Sequence, residues 1–391
     1  MPLSTSSSDS ALALSRSEAR VSTPDRYARQ TAADRPGIAQ PVPVRPVPEQ
    51  PWGKILLGAM LIFTMLLGGW EAYWRAFGVT PSIANDNGLW AIQRRRIDAG
   101  EGDATVIVSS SRPFFDIQLP VWERLAGRRP IQLAFEGTSP LAFAEDLADD
   151  PHFTGHLIIG IDPQVFFRGY GFHYDAIAYA RKESPSQRVG QWISMHFIEP
   201  YFAFDDRDYA LETVLARQSW PARPGDVSLT QVRKLSQSEA DRNTHLWSKV
   251  ADDPQYLALV RSIWHQRFAP AMDPPPEELR KTITEQIDRL ARAVAKLRAH
   301  GATVLLLRSP SDGEYLAYES RLFPRTLWET LVATSGAPGL HFQDYPELQG
   351  YYLPEWSHMT RAEAERYTAA LYKVIQRDFW GPRPTAPSAS R

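Results

Sequence analysis

The feature that most restricts this chain is a run of sixteen uncharged residues, 55–70 (ILLGAMLIFTMLLGGW), lying between Lys54 and Glu71. As a helix rising about 1.5 Å per residue it spans roughly 24 Å, a little short of a ~30 Å hydrocarbon core. Trp52, Trp70, Tyr73 and Trp74 extend it with interfacial aromatics at both ends, and Lys54 can snorkel. A helix of a soluble domain would leave one polar stripe, and this run has none. The pattern predicts a transmembrane anchor over residues 52–76. A cleaved signal peptide fits less well, because the apolar run begins late and no A-x-A site follows closely. Arg35, Arg45 and Lys54 precede the run, while Arg75 and the Arg94, Arg95, Arg96 cluster follow it. The positive-inside rule therefore leans only slightly toward a cytoplasmic N-terminus. Arg94 to Arg96 read most simply as a juxtamembrane or solvated charge cluster.

Residues 1–51 lack apolar periodicity, being serine-rich at the start and proline-rich from Pro36 to Pro51, and are expected to be disordered. Residues 382–391 form a similar Pro/Ser tail. The body, 78–381, has the composition of a folded domain; across the chain 43% of residues are hydrophobic and 23% charged. Forty-three Lys and Arg against 45 Asp and Glu leave no basic surplus, which argues against a nucleic-acid partner. The chain has no cysteine, so disulfides, thiolate zinc sites, iron–sulfur clusters and a Cys nucleophile are excluded. No phosphate-binding glycine loop is present, and no cofactor is expected. His152 and His156 are four apart, but Pro151 and Gly155 argue against a shared helix, so no metal site is expected there.

Short β-branched runs at 105–108 (TVIV), 157–161 (LIIGI) and 303–307 (TVLLL) read as buried strands. Leu279, Ile283, Ile287, Leu290, Val294 and Leu297 mark one face of an amphipathic helix opened by prolines and closed by Gly301. Thr360 and Glu363 fit a capping box for a last helix carrying Ala364, Tyr367, Leu371, Val374 and Ile375. Continuous apolar strands alternating with helices imply an α/β fold, a parallel sheet covered on both faces. Residues 170–270 break that rhythm and read as a mostly helical insertion. Its aromatics, among them Phe172, Tyr174, Tyr179, Trp192, Phe197, Tyr201 and Phe202, are read first as core and second as a carbohydrate-binding surface.

Ser111 follows the first strand, where α/β sheets gather reacting groups. A serine hydroxyl is a nucleophile only with a base to take its proton and a group to orient that base. The candidate base is His358, in a Glu355-x-x-His358 turn directly before the last helix. The Ser109-Ser110-Ser111-Arg112 turn and this Glu-x-x-His block resemble the SGNH (GDSL-like) hydrolase superfamily, in particular its membrane-anchored branch linked to acyl modification of cell-surface polymers. The resemblance covers about 102–167 and 277–376. It aligns Ser111 with the nucleophile, Glu355 and His358 with the D-x-x-H block, and Gly137 with the second-block glycine whose N–H helps form an oxyanion hole. This chain departs from the pattern in having Ser109 for glycine, Glu355 for aspartate, and Gly160-Ile161-Asp162 where an oxyanion-hole asparagine is usual. An ionised Asp162 would repel an oxyanion, and one lost donor costs ~10²–10³ in rate.

The resemblance implies a three-layer fold and a serine esterase or O-acyl (acetyl) transferase with a Ser111, His358, Glu355 triad. It implies an oxyanion hole from Ser111 and Gly137, with Asp162 in the third position. It further implies a single-pass protein of the cytoplasmic membrane with its body on the periplasmic or extracellular side. An exported polysaccharide acceptor and a membrane acyltransferase are the implied partners. The alternatives are a catalytically inactive scaffold that binds polysaccharide or an export partner, and a soluble esterase with residues 55–70 buried.

Overall fold

The computed structural model describes residues 50–217, 233–270 and 273–381. The tails expected at 1–51 and 382–391 lie outside the described residues, Gln50 and Pro51 excepted. The chain divides into two compact units, Met1–Leu66 and Leu67–Arg391. In the first, the described residues are Gln50, Pro51 and the opening turns of the helix Trp52–Phe77. Its side chains, Leu56, Phe63 and Leu66 among them, are exposed. Among the described residues this is the one helix long and apolar enough to cross a membrane.

The second unit is α/β. Its main sheet, among the described residues, has five parallel strands: β1 (Thr105–Val108), β2 (Ile131–Gln132), β3 (His156–Gly160), β4 (Thr303–Arg308) and β5 (Gly339–His341). Their spatial order is β2-β1-β3-β4-β5, with Val106 opposite Ile131, Val108 opposite Ile159 and Leu307 opposite Leu340. Side chains alternate across a strand, and here the alternation feeds two separate apolar clusters. Val106, Val108, Leu157, Ile159, Val304 and Leu306 join Leu290, Val294 and Leu297 of the helix Pro276–Ala299. Ile107, Ile158, Leu305, Leu307 and Leu340 join Trp122 and the Leu371 and Val374 side chains of the helix Arg361–Ile375. That last helix is capped as expected by the Thr360 hydroxyl, which accepts from Glu363 N at 3.5 Å. Glu363 itself pairs with Arg366, at 2.6 Å.

A third cluster joins the stretch read as an insertion to the end of the helix Trp52–Phe77 and to the residues after β1. It gathers Trp74, Phe114, Phe115, Tyr209, Trp247, Tyr256 and Val260, with Trp70 and Phe77 packed against it. The last turns of the helix Trp52–Phe77 are thus built into the body. The insertion's described residues form helices, among them Asp175–Lys182, Pro185–Ile193 and Pro254–Phe268, and an antiparallel hairpin, Ser236–Ser238 with Thr244–Leu246.

Two expectations are corrected. Phe172, Trp192, Phe197, Tyr201 and Phe202 are exposed rather than core: Phe172, Tyr201 and Phe202 lie in turns and loops at the surface, and Trp192 and Phe197 on the outer side of a surface helix and the turn that continues it. Arg94 to Arg96 are not a free charge cluster. Arg94 bonds Asp146 and Asp150 at 2.8 and 2.7 Å, Arg95 pairs with Glu183, and Arg96 with Glu101 at 2.8 Å. His152 and His156 share no helix: His156 opens β3, stacks on Trp380 and bonds Thr303, while His152 lies 3.1 Å from Asp150. Asp98, Asp150 and His152 do come together, and Arg94 pairs with both aspartates of that group.

Gly160, at the end of β3, fits where a side chain could not. A Cβ there would stand 2.6 Å from the Ser109 Cβ and would also strike Pro113. The extra Cβ at position 109 is accommodated by its absence at 160. Gly160→Ala is expected to destabilise the protein by about 1–3 kcal/mol through overpacking. Gly190→Ala, with nothing within 4 Å of its new methyl, is expected to be neutral or slightly stabilising. Urea unfolding of both variants checks this.

Candidate active site

The chain leaves β1 toward β2 on one side of the sheet, while β3 pairs on the other, so the strand order reverses at β1 and β3. In open parallel sheets, ligands bind outside the carboxyl ends of the strands at such a switch point. Ser111 begins the short helix that follows β1, and Asp162 follows β3. Ser109 and Ser110 are fully buried, so this is no solvated turn; Ser111 alone of the three reaches the surface.

The structure brings the Glu355-x-x-His358 turn to that hydroxyl. The Ser111 Oγ lies 2.7 Å from His358 Nε2, and His358 Nδ1 lies 2.8 Å from Glu355 Oε1. An ionised carboxylate only accepts, so the proton sits on Nδ1 and the Nε2 lone pair is free to accept from the serine. The same Oε1 accepts the His358 backbone N–H at 2.6 Å. Such a tight return requires an abrupt backbone. Trp356, between the two, has φ +70°, a left-handed conformation rare for a bulky residue. Its ring packs on Gly313, where a Cβ would strike it, and lies under the Arg261 guanidinium at 4.9 Å. Arg261 also donates to Pro354 O at 2.9 Å, so several contacts hold the turn in this conformation.

Residues that the sequence did not point to complete the site. Trp264, from the insertion, donates its indole N–H to Glu355 Oε2 at 2.6 Å and so occupies the second carboxylate oxygen. Phe115 packs on the His358 ring at 4.5 Å. Asp116 accepts the Met359 N–H at 3.0 Å, tying the short helix after β1 to the histidine loop. Burial pushes the Asp116 carboxyl up to about 7, against the pull of nearby His358. For His358, burial alone would lower the imidazole pKa, but the charge and hydrogen bond of Glu355 outweigh it and the net shift is upward. None of these three positions had a motif; each is set by tertiary packing.

Arg112, quoted in the serine turn, proves to be buried. It donates to Ser357 Oγ at 3.1 Å and to Glu319 at 2.9 Å. Burial opposes its charge, and Glu319 and Asp162 more than restore it, holding it above the ordinary guanidinium range. The Asp162 carboxylate accepts Arg112 N at 3.4 Å and faces Arg112 Nη1 at 3.6 Å, so its side chain is placed as an acceptor beside a guanidinium. Gly137 sits in a turn at φ +63°, with the Phe172 ring 3.9 Å from where its Cβ would stand. Beside it Glu136, His173, Asp206, Lys234 and Ser236 help line a polar cavity of about 150 Å³.

Neither any family model nor any curated protein matches the chain. The chemistry is therefore read from the arrangement itself: a part-exposed hydroxyl, a buried imidazole and a buried carboxylate in hydrogen-bonded series. Nitrogen NMR is expected to show His358 titrating above 6.5. In Glu355→Gln, which keeps an oxygen for the backbone N–H but loses the charge, its pKa should fall.

Proposed function

We propose that this chain is a membrane-anchored serine esterase or O-acyl (acetyl) transferase of SGNH-like type, acting on an exported cell-surface polysaccharide. The observation that carries the reading is the unbroken series Ser111 Oγ, His358 Nε2, His358 Nδ1, Glu355 Oε1, with links of 2.7 and 2.8 Å. The two apolar clusters on alternate strand residues support a three-layer arrangement of the SGNH kind. The helix Trp52–Phe77 supports an anchor; the body's place on the periplasmic or extracellular side is part of the SGNH-like reading alone.

In this reading His358 takes the Ser111 proton as the hydroxyl oxygen attacks an acyl carbonyl. Glu355 holds the ring and stabilises the imidazolium that forms. The tetrahedral oxyanion is stabilised by the backbone N–H groups of Ser111 and Gly137. His358 then returns the proton to the departing alkoxide, leaving an acyl-serine. Water, or a sugar hydroxyl, attacks that ester with His358 again as base. The carboxylates and hydroxyls lining the cavity beside Gly137 suit a hydroxyl-rich acceptor, and the exposed Phe172 offers a ring on which a sugar could stack. A membrane acyltransferase supplying the acyl group is the partner this reading implies.

A second reading, an inactive scaffold that holds polysaccharide or an export partner, is favoured by one observation: Asp162 stands, as an acceptor, where a third oxyanion donor is expected.

Ester turnover by the full chain in detergent, with and without a polysaccharide acceptor, decides between them. Ser111→Ala and His358→Ala are each expected to lower kcat about 10⁴-fold or more. A fluorophosphonate is expected to label the parent chain and not Ser111→Ala. Because the base must be neutral and its pKa is raised, kcat/KM should fall as pH drops through a midpoint above 6.5. Equal rates in all three chains, with no labelling, would give the protein to the scaffold reading.

A further inference from the structure

The helix Pro185–Ile193 and the turn Ser194–Ile198 that continues it leave large apolar side chains exposed. Val189, Trp192, Ile193 and Phe197 recur at spacings of three, one and four, and they are 57, 53, 43 and 58% exposed. Trp192 and Phe197 touch edge to face at 5.5 Å, which makes one continuous apolar patch. The contacts to the body come from the helix's other side: Gln191 lies against Gly88, whose missing Cβ leaves it room, Arg188, itself half exposed, bonds the buried Glu183 at 3.1 Å, and Met195 is buried. A surface helix of a globular protein does the opposite, burying its apolar stripe. Exposed apolar area of this kind marks a surface with a partner.

What lies next to the patch identifies the partner. Tyr201 and Phe202, also exposed, follow directly in the chain. Arg75 donates to Tyr201 O at 2.7 Å. The Glu71 carboxylate accepts from Ala203 N at 3.0 Å and from Phe204 N at 2.9 Å. Glu71 is the residue at which the uncharged run 55–70 ends. The segment is therefore pinned to the helix turn where a span would leave the hydrocarbon, the level at which Trp and Tyr are enriched.

We infer that the face formed by Val189, Trp192, Ile193, Phe197, Tyr201 and Phe202 lies in the lipid interface of the membrane that holds the anchor. It forms a second, monotopic attachment of the body. Amphipathic helices lie in this way with the apolar side sunk into the boundary between headgroups and acyl chains. The inference rests on reading Trp52–Phe77 as the anchor, but not on the triad.

The absence of native cysteine makes the test direct. Single-cysteine variants of the full chain carry a nitroxide in phosphatidylcholine–phosphatidylglycerol vesicles, and each is probed for collision with oxygen and with a water-soluble nickel chelate. Ile193→Cys and Phe197→Cys test the face, and Val189→Cys repeats the test one turn away. Phe63→Cys reports on the span, and Leu125→Cys and Tyr352→Cys on water; all of these side chains are exposed, so the label displaces no packing. The oxygen-to-nickel ratio at 193 and 197 is expected to exceed that of the two water controls several-fold. Ratios equal to the controls, with Phe63→Cys in lipid, would overturn the lipid face and leave the anchor standing. Phe63→Cys in water would overturn both. Dipolar broadening between labels at 197 on two copies would assign the face to a second copy of the chain and overturn the inference.

Discussion

A guanidinium sealed from water has to be matched by carboxylates from wherever the chain can supply them, and Arg112 draws on three places. It reaches Glu319 on the helix Gly313–Leu322, Asp162 beyond β3, and Ser357 in the histidine turn. Glu319 in turn holds Arg308, at the end of β4, at 2.7 Å, and Ser311 at 2.9 Å. Breaking such a buried pair by removing one partner costs about 3–5 kcal/mol, since the remaining charge is left uncompensated. Arg112, next to Ser111, is thus the point at which the carboxyl ends of β1, β3 and β4 and the histidine turn are held together.

The parts of this structure legible in the sequence are those with dense local pattern. The runs 105–108, 157–161 and 303–307 fall on β1, β3 and β4, and the 279–297 stripe falls within Pro276–Ala299. β2 and β5 have two and three residues, too few for periodicity to register. The hairpin Ser236–Ser238 with Thr244–Leu246 is mostly polar and carries no strand signature. At the site, Ser111, Glu355 and His358 sit in recognisable turns and meet as expected. Trp264 and Asp116 do not announce themselves, because the first is 91 residues from the carboxylate it serves and the second acts through a backbone N–H. Trp356 could not be anticipated either: a tryptophan at positive φ is favoured only by the surroundings that hold it.

The stretch 170–270, which interrupts the α/β rhythm, proves to join two halves of the molecule's chemistry. At one end it supplies the indole that completes Glu355. At the other it meets Glu71 and Arg75 near the close of the apolar helix. Between them lies the cluster in which Trp74 and Phe77 share a core with Phe114 and Phe115, and Phe115 touches the His358 ring. The helix end and the His358 imidazole are therefore linked by packed side chains, not by a flexible tether.

The hydroxyl and its base stand 247 residues apart in the chain, one just past the first strand of the sheet and the other in the final loop. Synthesis delivers the serine well before the histidine. Any chain still being made, threaded through a membrane, or clipped before residue 355 has a serine with no proton acceptor beside it. The Ser111 hydroxyl gains its imidazole partner only when the Glu355-to-His358 turn has docked against the helix after β1.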